Sequence, residues 1–325
     1  MRKIKWGVLG TAGIAKSQTI PGMQEAENCE LYAVAGRSIE KAEAFKAEFG
    51  FEKAYGSYEE LLADPQVEAV YIPLPNELHM QWTIRALEAK KHVLCEKPLA
   101  PNAQQAQKMF DAAKENGVLL MEAFAYLHSP YVAAVKQEID QGTIGDIVYL
   151  ESAFITSTYD TSNIRMRKET FGGAMYDLGC YNTSFALWMM GKEPQEVQAA
   201  ALYSPLGVDD YSSALLTFEG GARAALECGM VLSKGADARI DRVRIHGTKG
   251  YITSATQFNQ PGEVSYTVCV SGETQVKKLY APQNYRLEVE QLGHCILDRE
   301  TPPVSQEFTL MNARTLDRIL EKMGY

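Results

Sequence analysis

The chain is 325 residues long, 46% of them hydrophobic, and carries a formal net charge of −9 at pH 7. This length exceeds the usual size of one hydrophobic core, so two domains are predicted. The negative charge argues against nucleic acid or an anionic membrane as the main partner. The first residues run directly into a strand-like pattern and no apolar run is long enough to span a bilayer, so we expect neither a signal segment nor a membrane span.

The six cysteines are scattered along the chain without close pairs. This spacing is typical of reduced core residues in a cytoplasmic protein, and it does not resemble a disulfide framework or a zinc site. The few histidines show no metal-ligand spacing. The sequence therefore predicts a cytoplasmic protein without a bound metal.

Short apolar runs alternate with helical patterns over the first part of the chain. Strands are predicted over 4–9, 31–35, 69–72, 93–95 and 118–121. Helices are predicted to open at Ala12, after the N-cap Ser38, at the capping-box segment 57–60, and at Asn76 and Asn102. Strand–helix alternation indicates right-handed crossovers, so residues 1–121 are predicted to form an α/β domain with a doubly wound parallel sheet.

The second part of the chain has a different pattern. After a helix over 131–141, alternating β-branched and aromatic residues predict strands over 147–156, 197–203, 212–218, 223–232, 243–245 and 264–270. Glycine-containing turns such as the one at 219–221 favour antiparallel hairpins. Helices are predicted over 285–298 and 310–323. Residues 122–325 are therefore predicted to form an α+β domain on an open, mostly antiparallel sheet, with the functional site between the two domains.

A glycine-rich turn follows the first predicted strand. Gly10, Thr11, Ala12, Gly13 and Ile14 form a variant of the dinucleotide-binding fingerprint in which Ala12 replaces the usual second glycine. The first glycine permits a tight turn, and the helix N-terminus that follows offers N–H groups to a pyrophosphate. A plain strand–helix turn is the alternative. The position in the first strand–helix–strand unit favours a dinucleotide site.

The end of the second strand bears on the choice of dinucleotide. NAD enzymes usually have an acid here that accepts a hydrogen bond from the ribose 2′-hydroxyl, whereas this chain has Gly36 followed by Arg37. A guanidinium can bind a 2′-phosphate, and Ser38 and Lys41 can add donors. NADP is therefore predicted, with NAD less favoured. A solvated arginine is the alternative for Arg37.

Two further segments lie at predicted strand ends, where open α/β sheets bind ligands. After the 69–72 strand, Pro73 holds the loop extended, and Asn76 is predicted to cap the next helix and to meet the ribose or nicotinamide. His79, one turn later, is either a cofactor contact or a histidine at a helix interface. Glu96 and Lys97 directly follow the predicted strand over 93–95, and Lys97 is either a functional amine or a simple strand-end charge.

A late segment carries a second polar group. A pair of glycines leads into a predicted helix on which Asp177 and Tyr181 are four residues apart and share one face. The alternative is a core helix with an incidental polar pair. Arg165 and Arg167, just before the glycines, hold substrate hydroxyls or a carboxylate, or belong to a solvated loop.

With these segments together, the chain resembles the Gfo/Idh/MocA oxidoreductases over essentially its whole length. The resemblance rests on the glycine-rich turn, on Pro75-Asn76-x-x-His79, on Glu96-Lys97-Pro98 and on the Gly-Gly segment ending at Tyr181. It implies a Rossmann domain, a C-terminal open sheet whose outer face often forms a dimer interface, and hydride transfer on sugars, polyols or related alcohols. It also implies a cis peptide bond between Lys97 and Pro98.

Many members of the family have histidine where this chain has Tyr181. The tyrosine resembles the branch that contains dimeric dihydrodiol dehydrogenase, glucose–fructose oxidoreductase and NADP-linked xylose dehydrogenases. An ammonium about 4 Å from the tyrosine oxygen, at an effective dielectric of about 20, stabilises the phenolate by up to roughly 4 kcal/mol. This lowers the pKa of the tyrosine by up to about three units. We therefore expect Tyr181, assisted by Lys97, to exchange a proton with the substrate oxygen, while Asp177 orients the substrate or the tyrosine.

The predicted protein is thus an NADP-dependent dehydrogenase or reductase acting on a CH–OH group of a sugar, polyol or trans-dihydrodiol, and a homodimer or higher homo-oligomer through its C-terminal sheet. A catalytically silent NADP-binding sensor is the alternative, which the presence of both Lys97 and Tyr181 disfavours. An NAD-dependent glycosidase is a third reading, and Gly36 followed by Arg37 disfavours it.

Overall fold

The computed structural model describes residues 2–235 and 238–325. The chain divides into two compact units. The first unit comprises the residues up to Ala100 together with Gln104–His128 and Pro282–Thr309. The second comprises Pro101–Ala103, Ser129–Ala281 and Leu310–Tyr325.

The first unit is built on a parallel sheet of six strands. In chain order they are β1 (Ile4–Leu9), β2 (Cys29–Ala35), β3 (Lys53–Tyr55), β4 (Ala69–Ile72), β5 (His92–Glu96) and β6 (Leu120–Ala123). Their spatial order is β3-β2-β1-β4-β5-β6, so the direction of winding reverses between β1 and β4. This arrangement confirms the predicted doubly wound α/β sheet. Open sheets of this kind bind ligands at the carboxyl ends of the strands, next to the reversal.

In the described parts of the chain, six α-helices belong wholly or mainly to this unit. They are α1 (Ile20–Glu25), α2 (Ile39–Phe49), α3 (Tyr58–Ala63), α4 (Asn76–Glu88), α5 (Ala103–Asn116) and α8 (Asn284–Leu297). A π-helical turn, Ala15–Thr19, precedes α1. Ser57 caps α3 as predicted, since its side chain accepts a hydrogen bond from the Glu60 N–H. The prediction that Asn76 caps α4 is wrong: Pro75 holds the N-cap position in an extended conformation, and Asn76 is the first helical residue.

The central strands of this sheet are largely apolar and buried. Every residue of β4 is buried, as are the last four residues of β1. Helices cover both faces of a doubly wound parallel sheet, so its inner strands do not alternate with polar residues. This pattern explains why the bounds of β1 and β4 match the prediction. The three-residue, half-buried β3 gives no comparable signal and was not predicted.

The segment after residue 281 returns to the first unit. The predicted division at residues 121/122 places the helix at 285–298 in the second domain, whereas α8 packs against α1, β2 and β5. The close approach depends on Gly22 of α1, because a Cβ there would lie 2.7 Å from the backbone nitrogen of Arg286. Nothing in the linear pattern of α8 distinguishes one sheet from the other as its packing partner.

The second unit is built on a sheet of eight strands. They are β7 (Ile147–Ser157), β8 (Glu196–Tyr203), β9 (Asp209–Thr217), β10 (Arg223–Leu232), β11 (Arg239–Gly247), β12 (Gly250–Ser254), β13 (Gly262–Val270) and β14 (Glu273–Ala281). The order is β14-β13-β12-β11-β7-β10-β9-β8. Neighbours are antiparallel except for β7 and β10, which run parallel. The predicted mostly antiparallel sheet is confirmed, although β12 and the largely exposed edge strand β14 were not predicted.

Three helices accompany this sheet: α6 (Pro130–Asp140), α7 (Cys180–Met190) and α9 (Gln306–Met323), whose residues from Leu310 belong to this unit. Helix α7 packs on β7 and β10, and α6 packs on β13 and β14. Among residues 2–235 and 238–325, no helix is both long and apolar enough to cross a membrane. All six cysteines lie in the described parts of the chain as buried free thiols.

Candidate active site

The turn after β1 has the backbone geometry that a dinucleotide fingerprint requires. Gly10 has φ +123°, and a Cβ on it would lie 3.0 Å from the side chain of Leu74. Thr11 and Ala12 lead into helical backbone at Gly13 and Ile14. No described atom lies within 4 Å of a Cβ built on Gly13, so this side of the turn is open. The first N–H groups of the helix can therefore meet an anionic ligand.

The end of β2 places positive charge close to this turn. Arg37 is exposed, and Ser38 occupies the N-cap position of α2 with Lys41 in its first turn. Burial raises the pKa of Tyr58, and the positive charge of Arg37 opposes that rise. The Tyr58 hydroxyl is also 3.7 Å from the Cβ position of Gly10. Tyr58, which the sequence analysis did not identify, thus flanks both predicted phosphate-binding elements.

His79 joins two loops at the carboxyl edge of the sheet. Its ring is fully buried, with Nδ1 2.9 Å from the Pro98 carbonyl oxygen and Nε2 2.7 Å from the Leu74 carbonyl oxygen. Burial lowers the pKa of His79, while the carbonyl contacts act in the opposite direction. Pro73 and Asn76 border the same β4–α4 loop. Through these contacts His79 holds the loops that contain Leu74 and Pro98 together. A contact between His79 and a cofactor stays a prediction.

Glu96 and Lys97 lie where β5 ends. The Tyr71 hydroxyl donates to Glu96 Oε1 over 2.6 Å, and the Thr19 hydroxyl donates to Tyr71 over 2.9 Å. The other carboxylate oxygen of Glu96 is 3.3 Å from the Lys97 backbone N–H. Lys97 is half-buried, and its peptide bond to Pro98 is cis, as the family resemblance implies. The carboxylate of Glu96 is thus fixed, and Lys97 follows it at the ligand-binding edge.

Glu122 and Glu288 are buried carboxyl groups of this unit that were not predicted as site residues. Glu122 in β6 is 2% exposed and accepts a hydrogen bond of 2.8 Å from the Leu99 N–H. Burial raises the pKa of Glu122 to about 7, although the charge of Lys97 opposes the rise. Glu288 in α8 is fully buried, and burial raises its pKa well above the ordinary range.

In the second unit, the segment that carries Asp177 begins at a turn that requires glycine. Gly173 has φ +118°, and a Cβ on it would lie only 2.1 Å from an oxygen of Asp209. A π-helical turn, Met175–Gly179, follows and continues as α7. Asp177 therefore lies in π-helical rather than α-helical backbone. Single π-helical turns are rare and occur frequently at functional sites.

Arg165 forms an ion pair with Asp177. Its Nε donates to Asp177 Oδ2 over 2.6 Å, and its guanidinium lies 5.0 Å from the ring centre of Tyr159. The charge of Asp177 raises the pKa of Arg165, with smaller contributions from Tyr159 and Tyr181. Arg165 is thus anchored by Asp177, whereas Arg167 is exposed, and a substrate contact of either arginine stays a prediction.

Tyr181 lies in an aromatic pocket of the second unit. Its side chain is 8% exposed, and its ring centre lies 5.5 Å from that of Phe154 and 5.3 Å from that of Phe258. Asn259 Nδ2 is 3.4 Å from the Tyr181 hydroxyl oxygen. Sequence reasoning missed these three neighbours, because they come from β7 and from the loop after β12 and carry no motif.

Two family models match the chain. The model described as an oxidoreductase family with an NAD-binding Rossmann fold matches residues 4–124. The model of the GFO/IDH/MocA C-terminal domain matches residues 132–253.

Individual relatives match over nearly the full length. D-xylose 1-dehydrogenase (NADP(+)) 2 of Haloferax volcanii is 34% identical over 97% of this chain and 96% of the relative. Trans-1,2-dihydrobenzene-1,2-diol dehydrogenase of Xenopus laevis is 32% identical over 98% of both chains. Among solved structures, a 3-ketoreductase from Actinomadura kijaniata in complex with NADP and TDP-benzene is 30% identical, with a TM-score of 0.92 over 99% of this chain and 98% of the other. Solved variants of that ketoreductase replace one tyrosine by phenylalanine, and one lysine by alanine or glutamate.

Proposed function

Because the chain belongs to the Gfo/Idh/MocA family of oxidoreductases, we propose that it transfers a hydride between NADP and the CH–OH or C=O carbon of a sugar, polyol or trans-dihydrodiol. The observation that carries this proposal is the buried phenol of Tyr181, held among aromatic rings and close to the Arg165–Asp177 pair. A phenol in such surroundings is suited to proton exchange with a hydroxyl or carbonyl oxygen.

NADP is the cofactor that the first unit suits best. We assign its pyrophosphate to the turn Gly10-Thr11-Ala12-Gly13-Ile14, its 2′-phosphate to Arg37, Ser38 and Lys41, and its ribose and nicotinamide to Pro73, Asn76, His79, Glu96 and Lys97. The open side of the turn at Gly13 and the exposed guanidinium of Arg37 support the assignment. The xylose dehydrogenase relative is named for NADP, and the ketoreductase was crystallised with it.

When bound, the nicotinamide supplies the hydride donor or acceptor. The chain supplies the proton chemistry. In the oxidation direction Tyr181 accepts the hydroxyl proton, and in the reduction direction it returns a proton to the carbonyl oxygen. The ammonium of Lys97 favours the phenolate form of Tyr181, and Asp177, fixed by Arg165, orients the substrate or the tyrosine.

A lysine and a tyrosine are also the residue types replaced in the solved variants of the similar ketoreductase. This choice of variants agrees with a Lys–Tyr pair in the present chain. A catalytically silent NADP-binding sensor has no need of a proton-transfer pair, so the hydride-transfer function is favoured over it.

The relatives do not select one substrate, since their names cover a pentose, a dihydrodiol and a deoxysugar nucleotide. Their shared feature is a ring with adjacent hydroxyl or carbonyl groups. We therefore propose a sugar-like or cyclic diol substrate, and a cytoplasmic location where NADP is available.

We further propose that the eight-stranded sheet forms a homodimer or higher homo-oligomer through its outer face, which carries Glu151, Tyr211, Glu227 and Arg242. Arg242 pairs with both Glu151 and Glu227, which keeps this face ordered. At the edges, Leu202 on β8 is 66% exposed and Tyr280 on β14 is 70% exposed. Exposed apolar side chains around an ordered polar centre suit a protein interface.

The test is a panel of aldoses, polyols, trans-dihydrodiols and α-dicarbonyls, followed by the nicotinamide absorbance with NADP and NAD in parallel. Lys97→Ala and Tyr181→Phe should each lower kcat by several orders of magnitude while NADP binding, measured by fluorescence titration, persists. Lys108→Ala, which removes an exposed lysine of α5, is the matched control and should retain full activity. Near-normal turnover of Lys97→Ala would exclude Lys97 from the reaction.

A further inference from the structure

In the loop between β12 and β13, residues 255–261, Asn259 has a left-handed backbone conformation and its side chain contacts Tyr181. Asn259 has φ +62°, a conformation that asparagine tolerates better than most residues with a side chain. Its Nδ2 lies 3.4 Å from the Tyr181 hydroxyl oxygen. This distance is long for a hydrogen bond, and hydrogen bonds in active sites are often long before substrate binds.

The backbone next to Asn259 is held from β11. The Phe258 N–H donates to Asp241 Oδ1 over 3.0 Å, and the Phe258 carbonyl oxygen accepts from Arg239 Nη2 over 3.2 Å. Arg239 and Asp241 also form a bidentate pair, at 2.6 Å and 3.0 Å. Both polar backbone groups of Phe258 are therefore fixed by one charged pair. The backbone position of the next residue, Asn259, is therefore fixed as well.

The side chain of Phe258 adds a second attachment. Its ring centre lies 5.3 Å from that of Tyr181, 5.4 Å from that of Phe154 and 6.1 Å from that of Phe185. The Arg239 guanidinium stacks 4.5 Å from the ring centre of Phe154. The loop is thus packed on the same aromatic cluster that surrounds the Tyr181 phenol. The side-chain amide of Asn259 and this phenol are therefore held by one packed cluster.

We propose that Asn259 is a positioning residue for Tyr181: its amide donates a hydrogen bond to the phenol oxygen and directs the phenol's own hydrogen towards the substrate oxygen. The inference rests on the proposed function, in which Tyr181 exchanges the proton. An amide donor stabilises a phenolate more than a phenol, so it also favours the base form needed in the oxidation direction. The charged groups of the second unit near this cluster include Arg165, which interacts with Tyr181 and pairs with Asp177, and Arg239, which pairs with Asp241 and stacks on Phe154.

The test uses Asn259→Gly, which removes the amide and keeps the left-handed backbone. Alcohol oxidation should show kcat lowered by about 10-fold or more and KM changed by less than about threefold. The apparent pKa of the acidic limb of the kcat–pH profile should rise by about one unit, so that activity is partly recovered at high pH. A purely structural role for Asn259 would lower kcat equally at every pH, and that result would overturn the proposal.

Asn259→Asp tests the direction of the hydrogen bond. A carboxylate of the same size cannot donate and repels a phenolate, so the loss should be at least as large as in Asn259→Gly. Full activity of the aspartate variant would overturn the proposal. Gln257→Ala, which removes an exposed side chain from the same loop, should keep kcat within about twofold. Equal thermal unfolding midpoints and NADP affinities show that all variants are folded.

A Tyr181→Phe background separates this inference from the function on which it rests. If Asn259 acts through the phenol, adding Asn259→Gly to Tyr181→Phe should lower kcat by no more than about twofold. A full 10-fold loss in that background would mean that Asn259 acts on the substrate directly. Loss of activity in Tyr181→Phe with normal activity in Asn259→Gly overturns the inference alone. Normal activity in Tyr181→Phe overturns the proposed role of Tyr181 itself.

Discussion

Arg165 Nε lies 2.6 Å from Asp177 Oδ2, and this pair joins the short helical turn at 164–166 to the π-helical turn before α7. The Asp177 side chain is 14% exposed, so it is largely removed from water. A carboxylate in this position depends on its partner, because removing one member of such a pair leaves a charge without compensation.

Arg165→Met should therefore lower the free energy of unfolding by about 1–2 kcal/mol. This loss is smaller than the loss expected on breaking a fully buried ion pair, because the Arg165 side chain is one-third exposed. It should also lower kcat/KM by about 10-fold or more, since Asp177 is no longer fixed. Urea unfolding and steady-state kinetics measure the two effects. Arg167→Met, at the exposed neighbouring arginine, is the control for stability. Equal stability of both variants would show that the ion pair contributes nothing.

Glu122 should make stability depend on pH. Its carboxyl group is buried, and its pKa is raised from 4.5 to about 7. The folded state thus holds the proton to higher pH than the unfolded state, so the stabilisation is present below about pH 4.5 and is lost as the pH rises through 7. Over this window the wild type should lose up to about 3 kcal/mol relative to Glu122→Gln, whose amide keeps an acceptor for the Leu99 N–H.

Chemical unfolding of the two proteins at a series of pH values between 4 and 8 checks this expectation. The difference in unfolding free energy should grow with pH and level off above 7. Parallel stability curves for the wild type and Glu122→Gln would show that folding does not raise the pKa of this carboxyl group.

Glu288 should be replaceable by an apolar residue with a gain in stability. Its side chain is fully buried in α8, and within residues 2–235 and 238–325 neither carboxyl oxygen has a hydrogen-bond partner. A buried polar group without partners costs about 1–3 kcal/mol. Glu288→Met should raise the unfolding free energy by about 1–2 kcal/mol at pH 7, while Glu290→Met, which breaks the ion pair with Arg286, should not. A strong loss of activity in Glu288→Met would instead give this carboxyl group a functional role.

The sequence predicted the parts of the molecule whose signal is local. The bounds of β1 and β4 follow from short, largely apolar runs, and the start of the helix at 39–49 follows from Ser38, which holds its N-cap position. Gly10 was predicted to permit a tight turn, and its positive φ agrees with that prediction. Strands β12 and β14 were missed because glycine and polar edge residues weaken the alternation on which strand prediction depends.

Sequence reasoning proposed candidate site residues only where a motif carried them. Lys97 and Tyr181 stand in recognisable segments, whereas Phe258 and Asn259 belong to a loop whose composition is ordinary. Their proximity to Tyr181 results from the pairing of β11, β12 and β7, which the linear sequence does not express. The ion pair of Arg165 was missed for a similar reason, since the turn at Gly173 brings residues twelve apart together.

Arg37 should determine the preference for NADP. The guanidinium is exposed at the end of β2, where a carboxylate would instead accept from a ribose 2′-hydroxyl. Arg37→Asp should raise KM for NADP by about 30–100-fold and lower KM for NAD, because a favourable charge pair becomes a repulsion. Lys46→Asp, near the other end of α2, makes the same charge change away from the turn and should leave both values nearly unchanged. An unchanged preference in Arg37→Asp would assign the 2′-phosphate to other residues.

The outer face of the eight-stranded sheet should determine the oligomeric state. Leu202 pairs in register with Tyr211 across β8 and β9, so both side chains lie on this face, and Leu202 is 66% exposed. If the face is an interface, Leu202→Glu buries a charge there and should weaken self-association by at least about 10-fold. Ile39→Glu, which places the same charge at an exposed position of α2, should have no effect. Sedimentation over a range of concentrations measures self-association of the wild type and both variants. A wild type that stays monomeric at every concentration would contradict the proposed oligomer, because the exposed hydrophobic edge would then have no partner in solution.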